Sequence, residues 1–227
     1  MKFTGELFEL SWLFWQVWWW DLRESNKVRK QFYTNALVAS IDKSIRKKYR
    51  YRSPFLISKL FLQQKGNVEV HRYGETPLTS LDEIAKRVQL EDTDCWMELG
   101  SGRSRGVFFL AARYKCRGVG VEWIPEFVLK SLSILKLFPN MNVSIYLSDF
   151  LKMDYTKATV IYVYGLCLEE IVLEQLAKKL STLSSKVKII TISFPLTEYL
   201  PDHFYVVDQF STSFNWGTAD VFVQIPL

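Results

Sequence analysis

The chain has 227 residues, of which 48% are hydrophobic and 23% charged, and its formal net charge is +5. This composition is close to that of ordinary globular proteins, so it excludes wholesale disorder and low-complexity architecture. Three cysteines and two histidines, with no C-x-x-C and no G-x-S-x-G motif, argue against a disulfide framework, a zinc hydrolase and a serine hydrolase. A chain with so few cysteines suits a reducing compartment, and we expect it in the cytoplasm.

Aromatic and basic residues are concentrated near the N-terminus. Five of the eight tryptophans lie between Trp12 and Trp20, and residues 21–52 hold ten Lys or Arg against three acids, a net charge of +7. Apolar residues recur every three or four positions through the tryptophan cluster and again from Arg29 to Lys48, which predicts two helices. Because Pro54 disfavours helical geometry at Ser53, we divide the chain there. Residues 1–53 are an aromatic and basic helical arm, and residues 54–227 are a globular domain.

The arm has three interpretations. It packs its tryptophans on the domain, it clamps an acidic substrate, or it contacts a membrane surface through residues 8–52. In the membrane case, the indole rings would lie at the interface and the following cations would face anionic headgroups. The apolar run Leu10–Trp20 is shorter than the roughly 20 residues that a spanning helix needs, so we expect peripheral contact and no crossing.

After the arm, helical and strand patterns alternate in chain order. A helical stretch begins at Pro77, and further helices are predicted at residues 105–115, 124–137 and 168–183. Strands are predicted at Cys95–Leu99, Val119–Glu122, Val143–Leu147, Thr159–Val163, Val187–Phe194, Phe204–Phe210 and Ala219–Ile225. The last two strands have no helix between them, which indicates a hairpin. We therefore expect an α/β fold: a Rossmann-like seven-stranded sheet with helices on both faces, a C-terminal antiparallel hairpin and the N-terminal helical arm.

A glycine-rich segment, Glu98-Leu-Gly-Ser-Gly-Arg-Ser-Arg-Gly106, follows the first predicted strand and opens a helix. Glycines at such a turn let the backbone bend tightly and approach a ligand closely. The spacing differs from the G-x-G-x-x-G pattern of NAD sites. The acid two residues before Gly100 would repel a pyrophosphate but suit an ammonium or sulfonium group. Taken alone, the segment is weak evidence for a ligand, and a structural strand-to-helix turn is the alternative.

Two further strand ends extend this pattern. Glu122 ends the next strand, where a carboxylate can accept both hydroxyls of a ribose. Asp149 and Phe150 follow the third strand, and this pair can bond the amino group of an adenine and stack on its ring. Each feature is ordinary alone, but their order along the chain predicts a pocket for a nucleoside cofactor.

These motifs resemble those of class I S-adenosylmethionine-dependent methyltransferases over roughly residues 73–194. The segments Tyr73-Gly-Glu-Thr76, Leu99-Gly-Ser-Gly102 and Asp149-Phe-Leu151 resemble those of non-SET histone-lysine methyltransferases. The chain is also similar to small prokaryotic and mitochondrial lysine methyltransferases, which carry a hydrophobic N-terminal segment. The resemblance implies S-adenosyl-L-methionine as the cofactor. It implies these contacts: Glu75 and Thr76 at the methionine end, Glu98, Gly100, Ser101 and Gly102 on the methionyl part, Glu122 on the ribose, and Asp149 with Phe150 on the adenine.

The substrate side departs from that family, because Tyr164 and Gly165 stand where the histone enzymes carry a pair of asparagines. We expect Glu75, Tyr164 and Tyr73 near the transferred methyl group, a protein lysine as the acceptor, and no metal, since positioning supplies most of the rate. RNA or a small or lipophilic acceptor is the alternative, as is a catalytically idle cofactor-binding protein. Nucleic acid ranks below protein as a partner, because the sequence contains no base-reading module.

Overall fold

The computed structural model describes residues 3–67, 73–166 and 168–227, and within these ranges the chain forms seven α-helices and seven strands. The helices are α1 (Phe3–Phe32), α2 (Ala36–Lys48), α3 (Pro54–Gln64), α4 (Leu78–Arg87), α5 (Arg105–Tyr114), α6 (Pro125–Leu135) and α7 (Glu170–Leu180). The strands are β1 (Cys95–Leu99), β2 (Arg117–Glu122), β3 (Val143–Leu147), β4 (Val160–Val163), β5 (Lys188–Ile192), β6 (Phe204–Phe214) and β7 (Gly217–Pro226).

All seven strands form one sheet, in the order β3-β2-β1-β4-β5-β7-β6. The strand β1 lies between β2 and β4 and is parallel to both, with Leu99 opposite Val121 and Val163. The strand β7 runs antiparallel to β5 and β6, so β6 and β7 form the hairpin at one edge. The predicted α/β fold is thereby confirmed. Because the strand order reverses between β1 and β4, a crevice forms at the carboxyl ends of these two strands, where such sheets bind ligands.

Side chains of β1 alternate between the two faces of the sheet, as a period of two requires. Trp96 packs into a core shared with α4, α5 and α6, whereas Met97 and Leu99 pack into a second core with Leu173 and Leu176 of α7. Each face of the sheet is thus covered by helices. This two-sided burial explains why the parallel strands read as nearly continuous apolar runs.

The N-terminal helices differ in their bounds from the sequence prediction. We expected a second helix from Arg29, but α1 continues to Phe32, and α2 begins only after Asn35. That prediction was wrong at its N-terminal boundary because the Asn35 side chain accepts the backbone N–H groups of Leu37 and Val38 and so starts a new helix. Likewise, Ser53 caps α3, a helix that the sequence patterns did not predict.

The second half of the arm packs into the main core. Phe32 and Ile45 are fully buried there, and the Phe32 ring lies edge-on to Phe109 of α5 with 4.9 Å between centroids. Glu24 of α1 accepts the backbone N–H and the hydroxyl of Thr79, at 3.2 and 2.7 Å, and so caps the start of α4. The tryptophan cluster lies on α1, but the side chains of Trp12 and Trp18 are outside the described residues. In the described ranges, no helix has the length and apolar content that a membrane crossing requires.

Candidate active site

Two adjoining cavities open at the carboxyl ends of the central strands. The larger, of about 380 Å³, is lined by residues from α3, from the ends of β1, β2 and β4, and from the segment after β3. The smaller, of about 30 Å³, lies between the loop before α4 and the glycine-rich turn. The larger cavity is lined by Glu122, Asp149 and Phe150, the smaller by Glu75, Thr76, Glu98 and Ser101, and both by Tyr73, Gly100, Gly102 and Tyr164. The structure therefore brings every predicted site residue to one crevice.

The glycine-rich turn adopts backbone conformations that glycine favours. Gly100 and Gly102 have φ angles of +77° and +52°, which other residues adopt only with strain. The ring of Tyr73 covers Gly102, where a Cβ would lie 3.2 Å from ring atoms. At Gly106, in the first turn of α5, a Cβ would lie 2.7 Å from Oε2 of Glu98. The glycines thus allow the tyrosine and the glutamate to close on the loop.

Glu122 ends β2 with its carboxylate buried, at 6% exposure. It accepts the backbone N–H groups of Gly102 at 2.6 Å and Ile124 at 2.7 Å. Burial raises the pKa of this carboxyl, although the two hydrogen bonds oppose that rise. A carboxylate held by backbone donors keeps further lone pairs for ligand hydroxyls, which fits the predicted ribose contact.

Asp149 and Phe150 lie at the far side of the larger cavity. The Asp149 carboxylate accepts the backbone N–H of Leu151 at 2.9 Å and so caps a short 3₁₀ helix, Phe150–Lys152. The half-buried ring of Phe150 lines the cavity. This local turn presents an acceptor and an aromatic face side by side, as the predicted adenine contact requires.

Glu98 has an unusual electrostatic environment for a carboxyl group. Burial, and then the negative charges of Glu75 and Glu122, raise its pKa to about 8. Its Oε2 atom is buried and has no hydrogen-bond partner among the described residues. An unpaired acceptor of this kind suits an incoming cation. The residues at this end of the crevice therefore fit the positively charged methionine moiety of S-adenosylmethionine.

Tyr73, Glu75 and Arg103 form a connected cluster beside the smaller cavity. The Tyr73 hydroxyl donates to Glu75, and Arg103 pairs with the same carboxylate through Nε at 2.5 Å and Nη2 at 2.6 Å. Burial would raise the pKa of Glu75, but the charge and hydrogen bond of Arg103, together with Arg105 and the Tyr73 hydroxyl, outweigh it and hold that pKa below its usual value. The sequence had shown Arg103 only as a basic residue in the loop, and nothing local pointed to this pairing.

A second ion pair joins the glycine-rich turn to the arm, and sequence reasoning missed it. Asp42 of α2 is 3% exposed and accepts Nε of Arg105 at 2.7 Å, Nε of Arg46 at 3.0 Å and the hydroxyl of Tyr33 at 2.7 Å. Burial would raise the pKa of Asp42, but the charge and hydrogen bond of Arg105, together with Tyr33 and Arg46, hold it well below its usual range. The arm is therefore attached to the predicted cofactor loop through an ionised carboxylate.

Tyr164, which follows β4, lies between the loop before α4 and the C-terminal hairpin. A Cβ at Gly74 would lie 2.7 Å from the Tyr164 ring, so the two segments are in close contact. The indole N–H of Trp216, in the hairpin turn, donates to the Tyr164 hydroxyl at 2.8 Å. Tyr164 thus forms a wall shared by both cavities. In the described part of the chain, no three His, Cys, Asp or Glu side chains are placed to hold a metal ion.

Comparisons with known proteins agree with this geometry. Residues 98–203 match the family model of the ANTKMT methyltransferase domain, whereas no curated protein sequence matches the chain. An RNA methyltransferase from Salinibacter ruber, solved in complex with S-adenosyl-L-homocysteine, is 25% identical, with 67% of this chain and 94% of that chain covered and a TM-score of 0.56.

Two other solved structures share the fold at lower identity. A variant of MtNAS in complex with S-adenosylmethionine is 17% identical, with 87% and 76% of the two chains covered and a TM-score of 0.56. The M1A22 tRNA methyltransferase TrmK of B. subtilis is 14% identical, with 68% and 67% covered and a TM-score of 0.53. The matched domain and the shared sheet topology together show that this chain is an S-adenosylmethionine-dependent methyltransferase with a Rossmann-like fold.

Proposed function

We propose that the protein transfers a methyl group from S-adenosylmethionine to a lysine side chain of a protein substrate. The match of residues 98–203 to a domain of a protein-lysine methyltransferase family carries this proposal. The lining of the larger cavity supports it, because Tyr73, Tyr164 and Trp123 place three aromatic side chains along one passage. Glu169 lines the same cavity and adds a carboxylate that attracts an ammonium group.

The chain's own residues contribute positioning and desolvation. S-adenosylmethionine supplies a methyl group activated by a sulfonium, and the lysine nitrogen must be neutral to accept it. Aromatic walls at Tyr73 and Tyr164 exclude water and so favour the neutral amine over the ammonium. Because Arg103 keeps the pKa of Glu75 low, Glu75 stays ionised beside the small cavity, where its charge favours a nearby cation. Holding the two reacting groups in line then supplies most of the rate.

RNA is the second candidate acceptor. The 25% identity to an RNA methyltransferase, over 94% of that chain, favours it, and the ten basic residues of positions 21–52 suit a phosphate backbone. The two candidates differ in the labelled product. Methylated protein withstands nuclease treatment, whereas methylated RNA withstands protease treatment.

Transfer of a radiolabelled methyl group into total lysate, followed by protease or nuclease treatment, tests this proposal. We expect the label in protein, and acid hydrolysis of that protein is expected to release methylated lysine. The Glu122→Ala variant, incubated in parallel, controls for label that reaches protein without the enzyme. Label that only nuclease removes would show RNA as the acceptor, and label in neither fraction would contradict both proposals.

We also propose that the arm contacts a membrane surface through residues 8–52, as a peripheral part of a cytoplasmic protein. Trp15 and Trp19 of α1 are 58% and 52% exposed, and the basic residues that follow suit anionic headgroups. The test is flotation with phosphatidylcholine vesicles containing phosphatidylserine. Replacing both tryptophans by serine is expected to reduce flotation, whereas Tyr205→Ser, at an equally exposed aromatic residue of the hairpin, is expected to have no effect. Flotation of all three proteins to the same extent would contradict contact through the tryptophans, and flotation of none would contradict membrane contact.

A further inference from the structure

Arg105 pairs with Asp42 through one nitrogen of its guanidinium group, and a second nitrogen has no hydrogen-bond partner in the described part of the chain. The Nε atom donates to Asp42, whereas Nη2 is buried and has no hydrogen-bond partner among the described residues. A buried charged donor without an acceptor costs free energy, so it indicates a group that the site is built to receive. Arg105 also lines the small cavity at the methionine end of the crevice.

The same cavity contains the complementary unpaired atom. Glu98 lines it and presents Oε2, a buried acceptor without a partner in the described chain. Arg105 and Glu98 therefore line the same small cavity, and each has one buried polar atom without a partner among the described residues. The α-carbon of an amino acid carries an ammonium group and a carboxylate together, which is the pair of charges that these two atoms would satisfy.

We propose that Arg105 binds the carboxylate of the cofactor's methionine moiety and that Asp42 is the residue that positions its guanidinium. The neighbouring Arg103 holds its Nε and Nη2 atoms against the Glu75 carboxylate, whereas Nη2 of Arg105 has no acceptor among the described residues. Asp42 belongs to α2, which makes the N-terminal helices part of the cofactor site. This inference concerns cofactor binding and does not depend on which acceptor is methylated.

Three ligands isolate the carboxylate contact in the full-length protein. S-adenosylhomocysteine carries the amino group and the carboxylate, its decarboxylated analogue S-adenosyl-3-thiopropylamine retains only the amine, and 5′-methylthioadenosine has neither. By calorimetry, we expect wild-type protein to bind S-adenosylhomocysteine at least about tenfold more tightly than the decarboxylated analogue, since a charge-assisted contact is lost. Equal affinity for these two ligands would overturn the proposal without the use of any variant.

Two variants assign the contact to residues. Arg105→Gln is expected to lower the affinity for S-adenosylhomocysteine about tenfold and to leave the affinities for the other two ligands unchanged. Asp42→Asn is expected to lower the affinity for S-adenosylhomocysteine about threefold, again without an effect on the other two ligands. The matched control is Arg52→Gln, which removes an arm guanidinium that pairs with Glu126 and not with Asp42, and it should leave all three affinities unchanged.

The combined variant separates positioning from a general structural role. Because Asp42 acts through Arg105, the double variant should bind S-adenosylhomocysteine no more weakly than Arg105→Gln alone. If Asp42→Asn does not fold, Tyr33→Phe, which removes one hydrogen bond to Asp42, is expected to give a smaller weakening with the same selectivity. Additive losses, or equal weakening of all three ligands, would overturn the assigned roles.

Discussion

The two ends of the crevice are built in different ways. At the end proposed for the nucleoside, Glu122 and Asp149 lie at strand ends and accept backbone N–H groups. Two of these groups belong to residues only two positions further along the chain. At the methionine end, side chains are held by partners far away in sequence: Arg103 is 28 residues from Glu75, and Arg105 is 63 residues from Asp42. The sheet therefore fixes one half of the site, whereas the N-terminal helices take part in fixing the other. Changes at the two ends should have separable effects.

The largest effect is expected from Glu122→Ala. This change removes the acceptor proposed for the ribose and leaves the N–H groups of Gly102 and Ile124 without their partner. Because both S-adenosylhomocysteine and 5′-methylthioadenosine contain the ribose, each should bind about 100-fold more weakly in calorimetry. Glu126→Gln, four residues on and in α6, is the control and should bind both normally. A lower affinity for S-adenosylhomocysteine alone, with normal binding of 5′-methylthioadenosine, would contradict the placement of Glu122 at the nucleoside end.

An intermediate effect is expected from Glu98→Gln, at the methionine end. Without the negative charge, S-adenosylhomocysteine should bind about tenfold more weakly, since its ammonium loses an ionic partner. The affinity for 5′-methylthioadenosine, which has no ammonium, should stay the same. Weakening of both ligands would place Glu98 in the nucleoside end and contradict the comparison.

Glu98 also makes cofactor binding depend on pH. Since its pKa in the ligand-free protein is about 8, the carboxyl is mostly protonated at neutral pH and must release its proton to pair with an ammonium. Affinity for S-adenosylhomocysteine should therefore rise from pH 6 to pH 8, and calorimetry in buffers of different ionisation enthalpy should detect proton release.

The stability of the ligand-free fold should depend on pH in the opposite direction. A raised carboxyl pKa stabilises the fold at low pH, and this contribution is lost as pH rises through about 8. Glu98→Gln should abolish both effects, and Glu91→Gln, at an exposed residue, should abolish neither.

The smallest effect is expected from Tyr164→Phe. If Tyr164 acts as a wall, loss of its hydroxyl removes the hydrogen bond from Trp216, whose side chain is half exposed and can bond water instead. Methyl transfer should then fall by less than about threefold, with cofactor affinity unchanged. Tyr164→Ala opens the wall and should reduce kcat/KM for the proposed lysine substrate by at least about tenfold. A loss above about 100-fold in Tyr164→Phe would assign the hydroxyl to the chemical step.

Most of the sheet could be predicted from the sequence because its signals are local. The strands around Trp96 and Val121 read as apolar runs, and the glycine-rich turn between them follows from backbone conformations that only certain residues adopt. The positions of Glu122, Asp149 and Phe150 in one cavity were predictable for the same reason, because these residues are placed by the strands that they follow. Boundaries of the N-terminal helices were less predictable, since the cap at Asn35 competes with a continuous apolar pattern.

The methionine end could be predicted only as a list of residues. Glu75, Glu98 and Arg103 were visible in the sequence, but which acid pairs with which base depends on how separate helices pack. Asp42 gave no signal, because an acid among the basic residues of α2 reads as an ordinary surface charge. Its burial and its contact with Arg105 follow from the packing of α2 on α5. Partners of this kind arise from tertiary structure and have no local sequence signature.

A crystal structure of the full-length protein with S-adenosylhomocysteine tests the two-ended site most directly. We predict the adenine against Phe150, the ribose hydroxyls on Glu122, the ammonium on Glu98 and the carboxylate within hydrogen-bonding distance of Nη2 of Arg105, with the Asp42–Arg105 pair intact. A methionine moiety that points into solvent, while Arg105 still lacks an acceptor, would contradict the account.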